Sequence, residues 1–469
     1  MADPLSMTPA GAASIEAWRR LIAPSAEGRG ASAFQTTTRD GIVIEPLYAP
    51  RTDTAPLTGR GARPWTIVQI VDDPDAERAN AQVREDLDGG AGGLSLRFAG
   101  SPSAGGFGIG AASLLEAVLL DVDFASVHVR IEPFPEAASA ARRLADLILV
   151  SGTAPELASV SFGLDPISIA AFSGQDRGID LADHPVCFRE LRTRGFAGPL
   201  ATCDARVFHE SGASEAQELA AVLAGAVWWM RSLDDAGIAP AVSLPLLGAA
   251  LAVDCDQLIS IAKLRALRTL WARLQEMCAA PQSALPLHAE TSRRMMIAAD
   301  PYTNLLRTTI AAFSAGLGGA DSVAVLPHTA ALGLPDRSAR ALARNIQHLL
   351  LDESHVHLSG DAAAGSGAVE AMTEALAERA WAEFQRIESE GGILDSLRAG
   401  RFQTRVAEAR AALRASFANG RARIVGVTAY RNGDATDHAM PDPLPPDLAP
   451  ELPPIRLETL AMAAADAPA

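Results

Sequence analysis

Three segments decide the fold: Ile261–Trp271 (IAKLRALRTLW), Leu287–Ser292 (LHAETS) and Ser338–Ser354 (SARALARNIQHLLLDES). In the first and third, apolar side chains recur every three or four residues, the period of an amphipathic helix. Lys263, Arg265 and Arg268 leave the apolar stripe of the first. The middle segment reads as a strand that runs from apolar residues into His288, Glu290, Thr291 and Ser292. A helix, a strand tipped with polar groups and a second helix form the repeating unit of a (β/α)8 barrel, whose strand tips carry the chemistry.

The alternation extends in both directions. Candidate strands are Gly93–Phe98, Ser126–Glu132, Leu157–Phe162, Pro199–Cys203, Pro240–Leu244, Leu285–Ala289, Ser322–Leu326 and His355–Ser359. Helical patterns fill the gaps, most clearly Ser214–Leu233, Asp254–Met277, Tyr302–Ala315, Ser338–Leu351 and Val369–Glu388. Eight strands alternating with helices predict parallel β/α architecture closed into a TIM barrel over residues 65–431. Residues 1–64 are rich in Pro, Gly and Thr, with one helical patch near Ile15–Leu21, and read as an extended arm that contacts another subunit. Residues 432–469 read as a Pro-rich acidic tail, with seven prolines in Met440–Pro454, that packs on a partner or stays disordered.

The bulk properties narrow the function. A chain of 469 residues accommodates one barrel of about 250 residues or more with extensions. A hydrophobic content of 48% supports a large core. A net charge of −16 argues against nucleic acid and anionic lipid as partners, but local basic clusters can still hold phosphates. The four cysteines, Cys187, Cys203, Cys255 and Cys278, are far apart and read as reduced thiols. No apolar run of about 18 residues suggests a membrane span, and the expected location is the cytoplasm.

Several residues are candidates for chemistry. His288 and Glu290 share one face of a strand end, as an acid/base pair or as a hydrogen-bonded polar cluster. Lys263, Arg265 and Arg268 could bind the phosphates of a ligand or form a solvated, ion-paired helix face. His355-x-His357 lacks a third ligand with metal-site spacing, so no metal is expected. Gly105–Gly110 (GGFGIG) follows a strand and precedes a helix like a phosphate-cradling loop, but it fits neither a P-loop nor a dinucleotide fingerprint. It reads as a barrel βα loop.

The three opening segments also resemble the barrel of the adenosylcobalamin-dependent acyl-CoA mutases, of which methylmalonyl-CoA mutase is the central member. Further matches are Trp65–Ile67 with Gln69, Glu210 with Gly212–Ala213, Asp361 with Gly365–Ser366, and Ile424–Val427 with Tyr430–Arg431. They occur in the family's order from about Phe34 to Arg431.

The resemblance also identifies departures. A Tyr-His pair precedes Glu-x-Gly-Ala in active relatives, the His polarising the thioester carbonyl; Arg206 and Val207 stand at those positions. Valine cannot donate a proton. His209 could substitute if the segment were a strand, where it would share a face with Val207. Ile70 replaces the ring that sits between substrate and corrin, and Pro286 replaces an Arg. None of the nine histidines lies in the family's cobalt-ligating Asp-x-His-x-x-Gly motif. No flavodoxin-like cobalamin domain is recognisable, so no cofactor is expected on this chain alone.

The family includes heterodimers in which a large subunit carries the active barrel and adenosylcobalamin, while a smaller homologous (beta) subunit lacks cofactor and catalytic residues. This chain is most similar to that small subunit. The complex would interconvert (R)-methylmalonyl-CoA and succinyl-CoA by radical rearrangement. Two alternatives stay open: a catalytic substrate-binding subunit that uses a separate cobalamin-binding protein, and a free-standing acyl-CoA-binding pseudo-enzyme.

Overall fold

The computed structural model describes residues 12–22, 30–57, 59–174, 180–431 and 450–465. Its centre is an eight-stranded parallel barrel: β1 Thr66–Val71, β2 Gly93–Leu96, β3 His128–Ile131, β4 Val160–Ser161, β5 Ala201–Asp204, β6 Leu247–Val253, β7 Leu287–Thr291 and β8 Ser322–Ala324. Each strand pairs with its sequence neighbour, and β8 pairs with β1 through Val323 and Ile67. The remaining seam, between β4 and β5, is closed by the Leu164–Ala201 bridge and by Thr202 N donating to Leu164 O at 3.1 Å. This is a (β/α)8 barrel, as the alternation predicts.

The strands are buried on both faces, by helices outside and by one another's side chains within. In β6 (LGAALAV) all seven residues are buried. The outer helices form where the periodicity places them, at Glu215–Asp234, Gln257–Met277, Thr303–Leu317, Arg337–His348 and Gly367–Ser389. Several starts are fixed locally: Ser214 and Gln217 make a reciprocal capping box, and Asp256 and Asp336 cap Gln257–Met277 and Arg337–His348 with side-chain oxygens.

Two of the eight expected strands are corrected. Pro240–Leu244 is helical, with Pro240 at the first position of the turn Pro240–Ser243, where its missing N–H costs nothing. The strand of that unit is the following run, β6. His355–Ser359 is a 3-10 turn at Val356–Leu358, introduced by His355 at φ +54°, which breaks extended backbone. The eighth strand is instead β1, at the start of the barrel.

Both extensions have described portions lying on the barrel. In the arm, Arg39 Nη2 donates to Gly212 O at 2.6 Å, and Asp40 accepts from Ser214 and from Ala216 N. Arg60 donates to Ala320 O and Gly316 O, both at 3.0 Å. The helix Ala12–Ile22 packs on the turn Gly30–Phe34, with Leu21 78% exposed. Residues 450–465, expected on a partner or disordered, cross the strand-tip face. Glu451 N donates to Phe172 O, Ile455 N to Glu210 O and Leu457 N to Arg294 O, and the Glu458 carboxylate accepts from Ala298 N and Ala299 N. The rest of the arm and tail lies outside the described residues. Among the described residues no helix is long and apolar enough to cross a membrane.

Candidate functional site: the charged axis of the barrel

Alternation along the strands turns one polar set inward. Ser95 and Arg97 follow one another on β2 and its tip, Arg130 and Glu132 on β3, Thr202 and Asp204 on β5, and His288 and Glu290 on β7. Arg206, in the helical turn Arg206–Glu210 after β5, reaches into the same space.

The charges pair completely. Arg206 Nη1 donates to Glu290 Oε2 at 2.6 Å, its Nε to Asp204 Oδ1 at 2.9 Å, and its Nη2 to Glu132 and Asp204. Arg97 Nη2 donates to Glu290 Oε2 at 2.7 Å. Arg130 Nε and Ser95 Oγ donate to Glu132 Oε1 at 2.8 and 2.6 Å. Three guanidiniums thus face three carboxylates in a buried, neutral network. Burial alone would raise the Glu132 carboxyl, but Arg130 and Arg206 outweigh it and hold the group well below the usual carboxylate range.

His288 and Glu290 share this space without acting as a pair. The Glu290 carboxylate is committed to Arg97 and Arg206, while His288 Nδ1 bonds Ser322 Oγ at 2.8 Å. Burial, then Arg130 and Arg206, push the imidazole well below its ordinary pKa, so it is neutral. Glu132, His288 and Glu290 place ligand atoms within 4.8 Å of one another, yet the guanidiniums already hold both carboxylates and would repel a cation.

At the mouth, a recess is lined by Ser168, Arg206, Val207, Glu210, Arg293 and Pro454, among others. Val207 forms part of its wall, where active relatives would present an imidazole. His209 does not replace that imidazole. Residues 206–210 are a helical turn rather than a strand, so positions two apart diverge. His209 faces away, its Nδ1 3.1 Å from Glu218 Oε2 and its Nε2 2.9 Å from Ser292 Oγ.

Ser292, His209 and Glu218 have the connectivity of a nucleophilic triad, but all three are fully buried. The nearby Arg293 and Arg294 amides, which could have served an oxyanion, donate to Glu210 instead. Lys263 Nζ binds Glu218 at 2.7 Å and also Glu215, so both carboxylates that could ligate a metal together with His209 are already held by an ammonium. Burial and Arg294 lower the His209 pKa, but Glu218 and Glu215 outweigh them and raise it.

Lys263, Arg265 and Arg268 of the Gln257–Met277 helix are likewise buried rather than solvated. Arg265 binds Asp361 and Glu370, the latter at 2.7 Å. Arg268 binds Leu285 O, Gly319 O at 2.9 Å and Asp321 at 2.8 Å. They tie helices and loops together, and none of the three presents an open phosphate site. Ile70 lines a second recess at the mouth, beside Asp72, Arg97 and Phe107. Sequence reasoning missed Arg97, Arg130, Glu132 and Asp204. The available signal was a polar residue two positions from another at the ends of apolar runs.

His209, on the turn at the mouth, has both ring nitrogens engaged, and residues 450–457 cross the strand-tip face.

Residues 202–449 match the family model described as methylmalonyl-CoA mutase. The chain is 38% identical over 442 residues to the methylmalonyl-CoA mutase small subunit of Streptomyces virginiae, covering 89% of this chain and 70% of that one. It is 42% identical over 283 residues to a Mycobacterium tuberculosis protein named probable methylmalonyl-CoA mutase small subunit, covering 58% of this chain and 45% of the relative. Against the small subunit of Propionibacterium freudenreichii subsp. shermanii it is 33% identical over 373 residues, covering 76% and 57%. The chain therefore spans between about half and 70% of the length of these relatives.

Proposed function

The chain belongs to the methylmalonyl-CoA mutase family, in its small-subunit branch, and we propose that it is the non-catalytic partner in a heterodimeric mutase. In this reading a homologous large subunit carries adenosylcobalamin and interconverts (R)-methylmalonyl-CoA and succinyl-CoA. The observation that carries the proposal is the Arg206 network. The position where active relatives place a substrate-contacting Tyr holds a guanidinium bonded to Asp204, Glu132 and Glu290, and its neighbour is Val207. A buried network of three arginines and three carboxylates fills the axis with fixed charge, and valine offers no proton to a thioester. The same observation disfavours a catalytic substrate-binding subunit served by a separate cobalamin protein.

The arm supports an assembly role. Its helix Ala12–Ile22 keeps Leu21 exposed, while the segment from Arg39 onward is anchored on the barrel. We assign residues 1–64 to subunit contact and residues 65–431 to the barrel.

The test is reconstitution. The purified chain, mixed with a methylmalonyl-CoA mutase large subunit, should co-elute with it in size-exclusion chromatography. Alone, it should neither retain adenosylcobalamin in equilibrium dialysis nor convert methylmalonyl-CoA. Stoichiometric cobalamin uptake, or turnover by the chain with a separate cobalamin protein, would replace the proposal with the catalytic alternative.

A further inference from the structure

We propose that the recess between the tips of β1, β2, β7 and β8 binds a small dianion, a dicarboxylate or a phosphate, through Arg97, Arg293 and Arg340. The recess has an apolar wall that includes Ile70, Phe107 and Leu326. Its polar lining is unusual in charge: three guanidiniums and one carboxylate, Asp72.

Arg97 is 0% exposed, and its Nε is buried without a partner, although its other nitrogens bind Glu290 and Ser103 O. Arg293 Nη2 donates to Ser103 O at 3.0 Å, and Arg340 Nη1 to Pro335 O at 2.8 Å. Neither Arg293 nor Arg340 forms an ion pair among the described residues, and the Arg340 Nε is a second buried donor without a partner. Asp72 makes no ion pair with any of the three. Burial raises its carboxyl despite the three arginines around it, so it is a weak counter-charge.

Uncompensated guanidiniums in a recess are costly, and the cost falls when a ligand supplies the negative charge. The planar fork of arginine matches paired oxygens on a carboxylate or phosphate. Two arginines without an ion pair call for about two negative charges.

The glycine-rich loop Gly105–Gly110, read above as a barrel βα loop, has a further role here. Ala104 and Phe107 line the recess, and a Cβ at Gly105 would overlap the Arg293 guanidinium. Gly105 also adopts φ +61°, where a side chain is strained. The loop thus makes room for an arginine directed at the recess.

Isothermal titration of the full chain with inorganic phosphate and with succinate, against chloride at matched ionic strength, tests the proposal. The expected result is saturable one-to-one binding of at least one of the two, weakened about ten-fold or more in Arg340→Gln and in Arg293→Gln. Phosphate alone would assign a phosphorylated ligand, and succinate alone an organic diacid. Arg340 is partly exposed on the Arg337–His348 helix, so Arg340→Gln should fold even if Arg293→Gln does not. Absence of saturable binding by either anion, or binding unchanged in a folded Arg340→Gln, would overturn the proposal.

Discussion

Arg206 Nη1 lies 2.6 Å from Glu290 Oε2, joining the turn after β5 to the tip of β7 across the barrel interior. The same guanidinium also holds Asp204 and Glu132, so one side chain neutralises parts of three strands. Removing one partner of a buried ion pair leaves an uncompensated charge and typically costs about 3–5 kcal/mol.

Arg206→Tyr with Val207→His, which restores the pair found in active relatives, should therefore destabilise the chain by about 3–5 kcal/mol. It should not create mutase activity, because Ile70 and Pro286 remain. A urea-unfolding midpoint equal to wild type would show that the network is dispensable. Turnover by the double variant would show that the missing Tyr-His pair alone silences this barrel.

Lys263→Met should cost a similar amount, about 3–5 kcal/mol, because Glu215 and Glu218 would lose a buried ammonium. The contrast is Arg231→Ala. Its ion pair with Glu388 is made by an arginine side chain 61% exposed, and such pairs contribute about 1 kcal/mol or less. Paired denaturation curves decide the point. Equal losses for the two variants would mean that the buried cluster is not a structural anchor.

The loss of stability in acid should have an identifiable source. Burial pushes the His184 imidazole down to about 4, even though Asp183 and Asp180 act in the opposite direction. The unfolded chain protonates this group near pH 6.5, while the folded chain keeps it neutral. Stability contributed by neutral His184 is therefore present above about pH 6.5 and lost as pH falls toward about 4, by up to about 3 kcal/mol. His184→Gln should flatten the stability profile over that window. An unchanged slope would assign the acid sensitivity to other groups.

Sequence period was enough for the barrel but not for its interior. The long helices were readable because their apolar stripes recur over many turns, as in Gln257–Met277. The short strands were less so. β6 is a continuous apolar run flanked by a proline-containing helical turn, and period alone does not separate a buried strand from a helix segment. His355–Ser359 imitates strand alternation, yet the left-handed His355 that ends it as a strand has no sequence signal of its own. Lys263 illustrates the same limit for the site. Its departure from the apolar stripe was visible, but its partners Glu215 and Glu218 are 48 and 45 residues away and meet it only once the barrel closes. The helical turn Arg206–Glu210 directs His209 toward Glu218, which a strand reading could not anticipate.

The arm gives the sharpest prediction about assembly. Arg39 and Asp40 anchor it to Gly212, Ser214 and Ala216 at the start of the Glu215–Asp234 helix, so a truncation beyond residue 39 would disturb the barrel as well as the arm. Deleting residues 1–34 leaves those contacts in place while removing the Ala12–Ile22 helix and its exposed Leu21. Because no barrel contact is lost at Arg39 or Asp40, the shortened chain should keep its far-UV circular dichroism and its unfolding midpoint to within about 0.5 kcal/mol. It should no longer co-elute with a large subunit, since an apolar face left standing on an arm is best accounted for by docking. If the shortened chain still co-elutes, the arm is not the contact. The interface would then lie on the barrel's outer helices, where Tyr302, Leu306 and Ile310 are exposed at helical spacing and offer the next surface to mutate.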